Sequence, residues 1–203
     1  MKENREYRFI PINTFELRKE GEEPSFVVKG YASTFEPYVL FESDGVQYKE
    51  QILPEAFDNC DMSDVIFCKD HEGTVFARTR NKTLQLSVDE HGLLTETDLS
   101  KTTSARQMYE EIETGMYDQM SFAFVVKEDS YDRETHTRTI RQIAKLYDVS
   151  AVSFPANPGT DIGVATRSYF DGVIEAERAE RLEREAKLTE ARNKYREVRA
   201  NGN

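Results

Sequence analysis

Met120-Ser121-Phe122-Ala123-Phe124-Val125-Val126-Lys127 is the stretch that sets the architecture. Its aromatic and β-branched residues suit a pleated strand better than a helix. Alternation puts Phe122 and Phe124 on one face, with Ser121 and Ala123 on the other. Upstream the period changes. From Ser104 to Thr114 the apolar residues Ala105, Met108, Tyr109 and Ile112 recur at spacings of three and four, which predicts an amphipathic helix. Thr103 or Ser104 would cap it, and Gly115 would stop it. Downstream, Asp129 to His136 reads as a polar hairpin tip and Thr137 to Leu146 as the returning strand. Asp148-Val149-Ser150-Ala151-Val152-Ser153-Phe154 continues or follows that strand, and Pro155-Ala156-Asn157-Pro158-Gly159 ends the sheet, because proline cannot donate to a ladder.

Further out, Tyr7 to Ile12 and Phe26 to Ala32 are strand candidates, separated by a turn at Glu20-Gly21-Glu22-Glu23-Pro24. Residues 36–50 are polar with scattered aromatics and read as a loop. Leu53-Pro54-Glu55-Ala56-Phe57 begins a short helix, with Pro54 tolerated in the first turn. Val65-Ile66-Phe67-Cys68 is an apolar run that opens into a loop at Asp70-His71. Thr83 to Val88 and Leu93 to Leu99 form a hairpin across Asp89-Glu90-His91-Gly92. Residues 1–167 are therefore expected to form one α+β, mainly β domain. Residues 168–203 form a charged helical tail: Gly and Pro are absent from Val173 through Ala200. Its apolar positions (Phe170, Val173, Ile174, Leu182, Leu188, Tyr195, Val198) keep no heptad, which favours a solvated or transiently partnered helix over a coiled coil.

The chain has 203 residues and a formal net charge of −11. That balance argues against nonspecific nucleic-acid binding and against an anionic membrane surface, both of which need Lys and Arg. Cys60 and Cys68 lack C-x-x-C spacing, so neither a metal site nor a disulfide framework follows. No Gly-rich phosphate loop is present, and no cofactor is expected. Met1-Lys2-Glu3-Asn4-Arg5 lacks the apolar run of a signal peptide, and no apolar stretch is long enough for a bilayer. The expectation is a soluble intracellular protein.

Three histidines are present. His91 and His136 fall in hairpin tips, whereas His71 follows an apolar run at a strand end, where function tends to sit. Imidazole, with an ordinary pKa of about 6.5, can take the proton of a weakly nucleophilic hydroxyl, and Ser121 is the hydroxyl in a matching strand setting. The bland alternatives are an exposed loop histidine and a solvent-facing strand serine. No Gly-x-Ser-x-Gly elbow occurs, which disfavours an α/β-hydrolase. An imidazole base needs an acceptor to fix its tautomer; Asp70, Asp118 and Asp148 are all candidates. A thiol enzyme using Cys68 is a weaker reading, because buried cysteines are usually inert.

Several segments together resemble the prohead (procapsid) maturation proteases of tailed phages, distant relatives of the herpesvirus assemblins. They are Gly30-Tyr31-Ala32, Ile52-Leu53-Pro54-Glu55-Ala56-Phe57, Asp70-His71, Gly92-Leu93, Met120-Ser121-Phe122-Ala123-Phe124 and Asp148 to Pro158, in the family's order. Glu55 and Ala123 stand where the family usually has glycine. The resemblance implies His71 as general base and Ser121 as nucleophile, with Asp148 at the family's acidic position as third member. It implies a compact β-barrel with surrounding helices, and endopeptidase cleavage inside the assembling prohead in the host cytoplasm. The implied partners are the major capsid protein or its scaffold or delta segment, and the protease itself, through self-association and self-cleavage. The rival reading is a non-enzymatic assembly protein using the same domain as an interaction module and the charged helix as scaffold. The distance from His71 to Ser121 separates the two.

Overall fold

The computed structural model describes residues 5–10, 15–17, 25–153 and 164–201. The chain divides into two units, Met1–Gly163 and Val164–Asn203. The first is mainly β. Its larger sheet has seven strands: β1 (Glu6–Ile10), β4 (Tyr38–Ser43), β5 (Val46–Ile52), β6 (Ile66–Lys69), β7 (Glu72–Arg78), β10 (Gln119–Asp132) and β11 (Thr137–Val152). The smaller sheet has four, in the order β2 (Glu16–Leu17), β3 (Val27–Thr34), β9 (Gly92–Asp98) and β8 (Leu84–Val88). Among the described residues this unit has one α-helix, α1 (Thr103–Glu113), and two short 3-10 helices at Pro54–Phe57 and Thr79–Asn81.

The long strand β11 organises the larger sheet. One edge pairs antiparallel with β10. The other carries two parallel partners in succession: β5 along Thr137–Ile140 and β6 along Asp148–Ala151. β1 closes the far side of β10, with Phe9 opposite Ser121. Phe122 and Phe124 are fully buried with rings stacked at 4.6 Å. They join Phe67, Ile143, Leu146 and Leu93 in the core. α1 buries the four apolar residues that its spacing marks out.

A polar cluster is buried in the same unit. The Arg8 guanidinium bonds Glu50 through Nε at 2.5 Å, and it also bonds Glu6. Arg138 reaches Glu6 at 2.8 Å and Asp129 at 2.5 Å, and Tyr38 donates to Glu50. Burial alone would push the Glu6 carboxyl up. The Arg138 hydrogen bond and the Arg8 and Arg138 charges outweigh it, and hold the group at about 2. Paired in this way, charges from β1, β5, β10 and β11 can leave water together.

Several expectations need correction. The described strands form two sheets and do not close into a barrel. Residues 36–50 are not a loop but the β4–β5 hairpin. Its turn is Asp44-Gly45, with φ of +53° and +76°, and Asp-Gly is favoured wherever both central residues need positive φ. The β10–β11 hairpin is longer than read, because strand pairing continues to Asp132 opposite Thr137. The α1 cap is Thr102, whose Oγ1 accepts from the Ala105 amide at 3.0 Å, one residue before the expected position. The turn at residues 20–24, the end of the first strand at 11–12 and the segment 154–159 lie outside the described residues.

The second unit is a helix, α2 (Val164–Asn201), which begins about a turn before residue 168. Leu182, Leu188 and Tyr195 are exposed on it, and Glu183 pairs with Lys187 one turn on.

Candidate active site

Register builds the site. Phe9 on β1 lies opposite Ser121 on β10, Ser121 opposite Ser150 on β11, and Ser150 beside Cys68 on β6. Residues in such a lateral row project to one face, and so does a residue two positions along a strand. Ser121, Ser150 and Cys68 therefore share a face with Asp148. Ala123 sits opposite Asp148, and its small side chain leaves room for the carboxylate.

His71 reaches this face by a tight turn. β6 and β7 pair with Lys69 opposite Glu72, so Asp70 and His71 are the two central residues of a hairpin turn. Their φ values are +48° and +61°. The expected open loop is instead a turn that folds the imidazole back over β11. The Asp70 amide donates to the Ala151 carbonyl at 3.0 Å, and the Asp70 carboxylate accepts from the Ser153 amide at 3.2 Å. Both bonds pin the turn to the end of β11.

His71 Nδ1 lies 2.6 Å from Asp148 Oδ1, and Nε2 lies 2.5 Å from Ser121 Oγ. A carboxylate can only accept, so the bond to Asp148 places the proton on Nδ1 and leaves the Nε2 lone pair facing the hydroxyl. The Ser121 hydroxyl is also within 2.9 Å of the Arg8 carbonyl and can donate to it. A single proton thus chooses between a backbone carbonyl and an imidazole. The Tyr7 ring meets the His71 ring edge-on, with centroids 4.7 Å apart. Ser121 is 2 % exposed, so it is not the solvent-facing strand serine of the bland reading, and Asp148, at 4 %, is buried beside it.

Of the other acceptors, Asp70 binds the Ser153 amide and Asp118 is exposed. Cys68 points to Ser150, with Sγ 3.1 Å from Oγ. Burial pushes its thiol up to about 11, against a smaller downward pull from Ser150, which speaks against a thiolate nucleophile. Sequence reasoning missed Ser150, the Arg8 carbonyl and Tyr7 as neighbours of the site. Position two past Asp148 on one strand was the available signal for Ser150. Among the described residues no group of histidines, cysteines and carboxylates is placed to hold a metal ion, and no helix is long and apolar enough to cross a membrane.

Comparison with curated proteins and with solved structures returned no match. Comparison with protein families returned one: residues 13–172 match the family described as caudovirus prohead serine protease. That span covers most of the chain and takes in His71, Ser121 and Asp148, so the chain belongs to the caudovirus prohead serine protease family.

Proposed function

We propose that this protease cuts scaffold or capsid-protein segments inside the assembling prohead, using Ser121 as nucleophile, His71 as general base and Asp148 as the acceptor that orients His71. The observation that carries the reading is the continuous Ser121–His71–Asp148 chain, with links of 2.5 and 2.6 Å. Residues 1–167 would hold the peptidase and residues 168–203 its appended helix. Other copies of the protease are further substrates.

The steps follow from the geometry. Donation from Ser121 Oγ swings from the Arg8 carbonyl to His71 Nε2, and Oγ attacks the scissile carbonyl as its proton moves to Nε2. The imidazolium is held by Asp148, and Nε2 passes the proton to the leaving amine. Water then repeats the sequence and releases the acyl group.

The test is Ser121→Ala, incubated with prohead capsid protein beside the wild type. Loss of cleavage on the order of 10⁶-fold in kcat is expected. Equal cleavage by the two proteins would sink the assignment of Ser121 as nucleophile.

A further inference from the structure

The geometry points to Ser150 as a positioning residue that holds Asp148, and through it His71, in the reactive arrangement. The inference rests on the Ser121–His71–Asp148 reading and deepens it. The Ser150 hydroxyl is fully buried. It donates to Asp148 Oδ1 at 2.9 Å, the same oxygen that faces His71 Nδ1. Its lone pairs are then left for His71 Nδ1–H at 3.3 Å and for the Cys68 thiol at 3.1 Å. One hydroxyl therefore uses its donor and both acceptor sites, and each partner belongs to the site or touches it.

The physical effect is on orientation. An aspartate side chain has two rotatable bonds, and His71 by itself fixes only one direction of the carboxylate. A second donor on the same oxygen, anchored two residues along β11, fixes the other. Cys68 sits beside Ser150 in register on β6 and keeps the hydroxyl from turning away. Neither residue touches substrate in this scheme. Ser150 supplies no proton to the reaction, and Oδ1 stays where the Nδ1–H needs it through both half-reactions.

The experiment compares wild type with Ser150→Ala, Ser150→Cys and Ser150→Thr on a capsid-protein peptide, with thermal midpoints measured in parallel. Ser150→Ala should lower kcat by about 10-fold or more with KM changed less than about 2-fold. Ser150→Thr keeps the hydroxyl and should restore most of kcat. Ser150→Cys is a weaker donor of similar size and should fall between. Proton NMR supplies a readout independent of turnover: the Nδ1–H signal of His71, downfield in wild type, should broaden or move upfield in Ser150→Ala. A Ser150→Ala protein of lowered thermal midpoint but unchanged kcat and unchanged Nδ1–H signal would overturn the inference, leaving Ser150 a packing residue. The outcome that defeats the underlying reading is different: Ser121→Ala as active as wild type. The NMR comparison still decides the positioning role in that case.

Discussion

Asp70 and His71 sit at φ of +48° and +61°, a region that L-residues other than Asn, Asp and Gly adopt at a cost of about 1–2 kcal/mol. Such strain is retained where the surroundings over-determine it, and here the Asp70 amide bond to Ala151 and the Ser153 amide bond to the Asp70 carboxylate do so. Asp70→Val should therefore lower stability by roughly 1–3 kcal/mol and cut activity, because the turn that aims His71 would relax. Asp70→Gly relieves the φ cost but loses the carboxylate bond to Ser153, so it should keep more activity than Asp70→Val. Urea melts and cleavage rates on the two variants check this, and equal behaviour of both would show that the turn's backbone is not what aims the imidazole. Asp148→Asn leaves a side chain of the same shape but offers His71 an amide, which favours the wrong tautomer. A loss of about 10⁴ in kcat is expected, by analogy with the Ser-His-Asp template, measured on the same peptide with folding monitored by circular dichroism.

Two elements carry stability predictions of their own. β3 and β9 approach so closely that a Cβ on Gly92 would stand 1.8 Å from the Ser33 carbonyl oxygen. Gly92→Ala should cost roughly 2–3 kcal/mol, read as a drop in urea midpoint; an unchanged midpoint would mean the strands part without penalty. The buried cluster around Arg8 gives a pH dependence. The Glu6 carboxyl falls from its ordinary 4.5 to about 2 in the folded chain. Its contribution, on the order of 3 kcal/mol, is whole above pH 4.5 and is lost as pH falls toward 2. Chemical denaturation from pH 6 to 2 should show that loss, and Glu6→Gln should flatten it while lowering stability at neutral pH. The elements also show what was legible beforehand. The α1 face and the β8–β9 hairpin followed from local periodicity, which needs no partner strand. Residues 36–50 were misread because polarity was weighed above the Asp44-Gly45 turn signal and the aromatics Tyr38, Phe41 and Tyr48 flanking it. His71, Ser121 and Asp148 could be named from strand context and a family resemblance. Ser150 was within reach, two positions past Asp148 on the same strand, whereas the Arg8 carbonyl was not, because its place depends on register between strands far apart in sequence, and register is decided by packing.

At the scale of the whole molecule, the long helix α2 raises the question of its fate. If the protease trims its own chain, intact mass should fall with time to a form lacking a C-terminal fragment in wild type but not in Ser121→Ala. An unchanged wild-type mass, under conditions where capsid protein is cut, would exclude self-removal of the tail. The placement of β1 has a separate consequence, in time. Arg8 lies near the start of the chain, yet its carbonyl meets Ser121 and its side chain joins a cluster that includes Arg138. The strand bearing Asp148 ends at Val152. At ribosomal rates of about 5–20 residues per second, roughly 7–29 s separate the synthesis of Arg8 from that of Val152. Within that interval His71 and Ser121 are made before Asp148, the residue that His71 Nδ1 faces in the folded chain. The Ser121–His71–Asp148 arrangement therefore cannot assemble before the strand bearing Asp148 has been made.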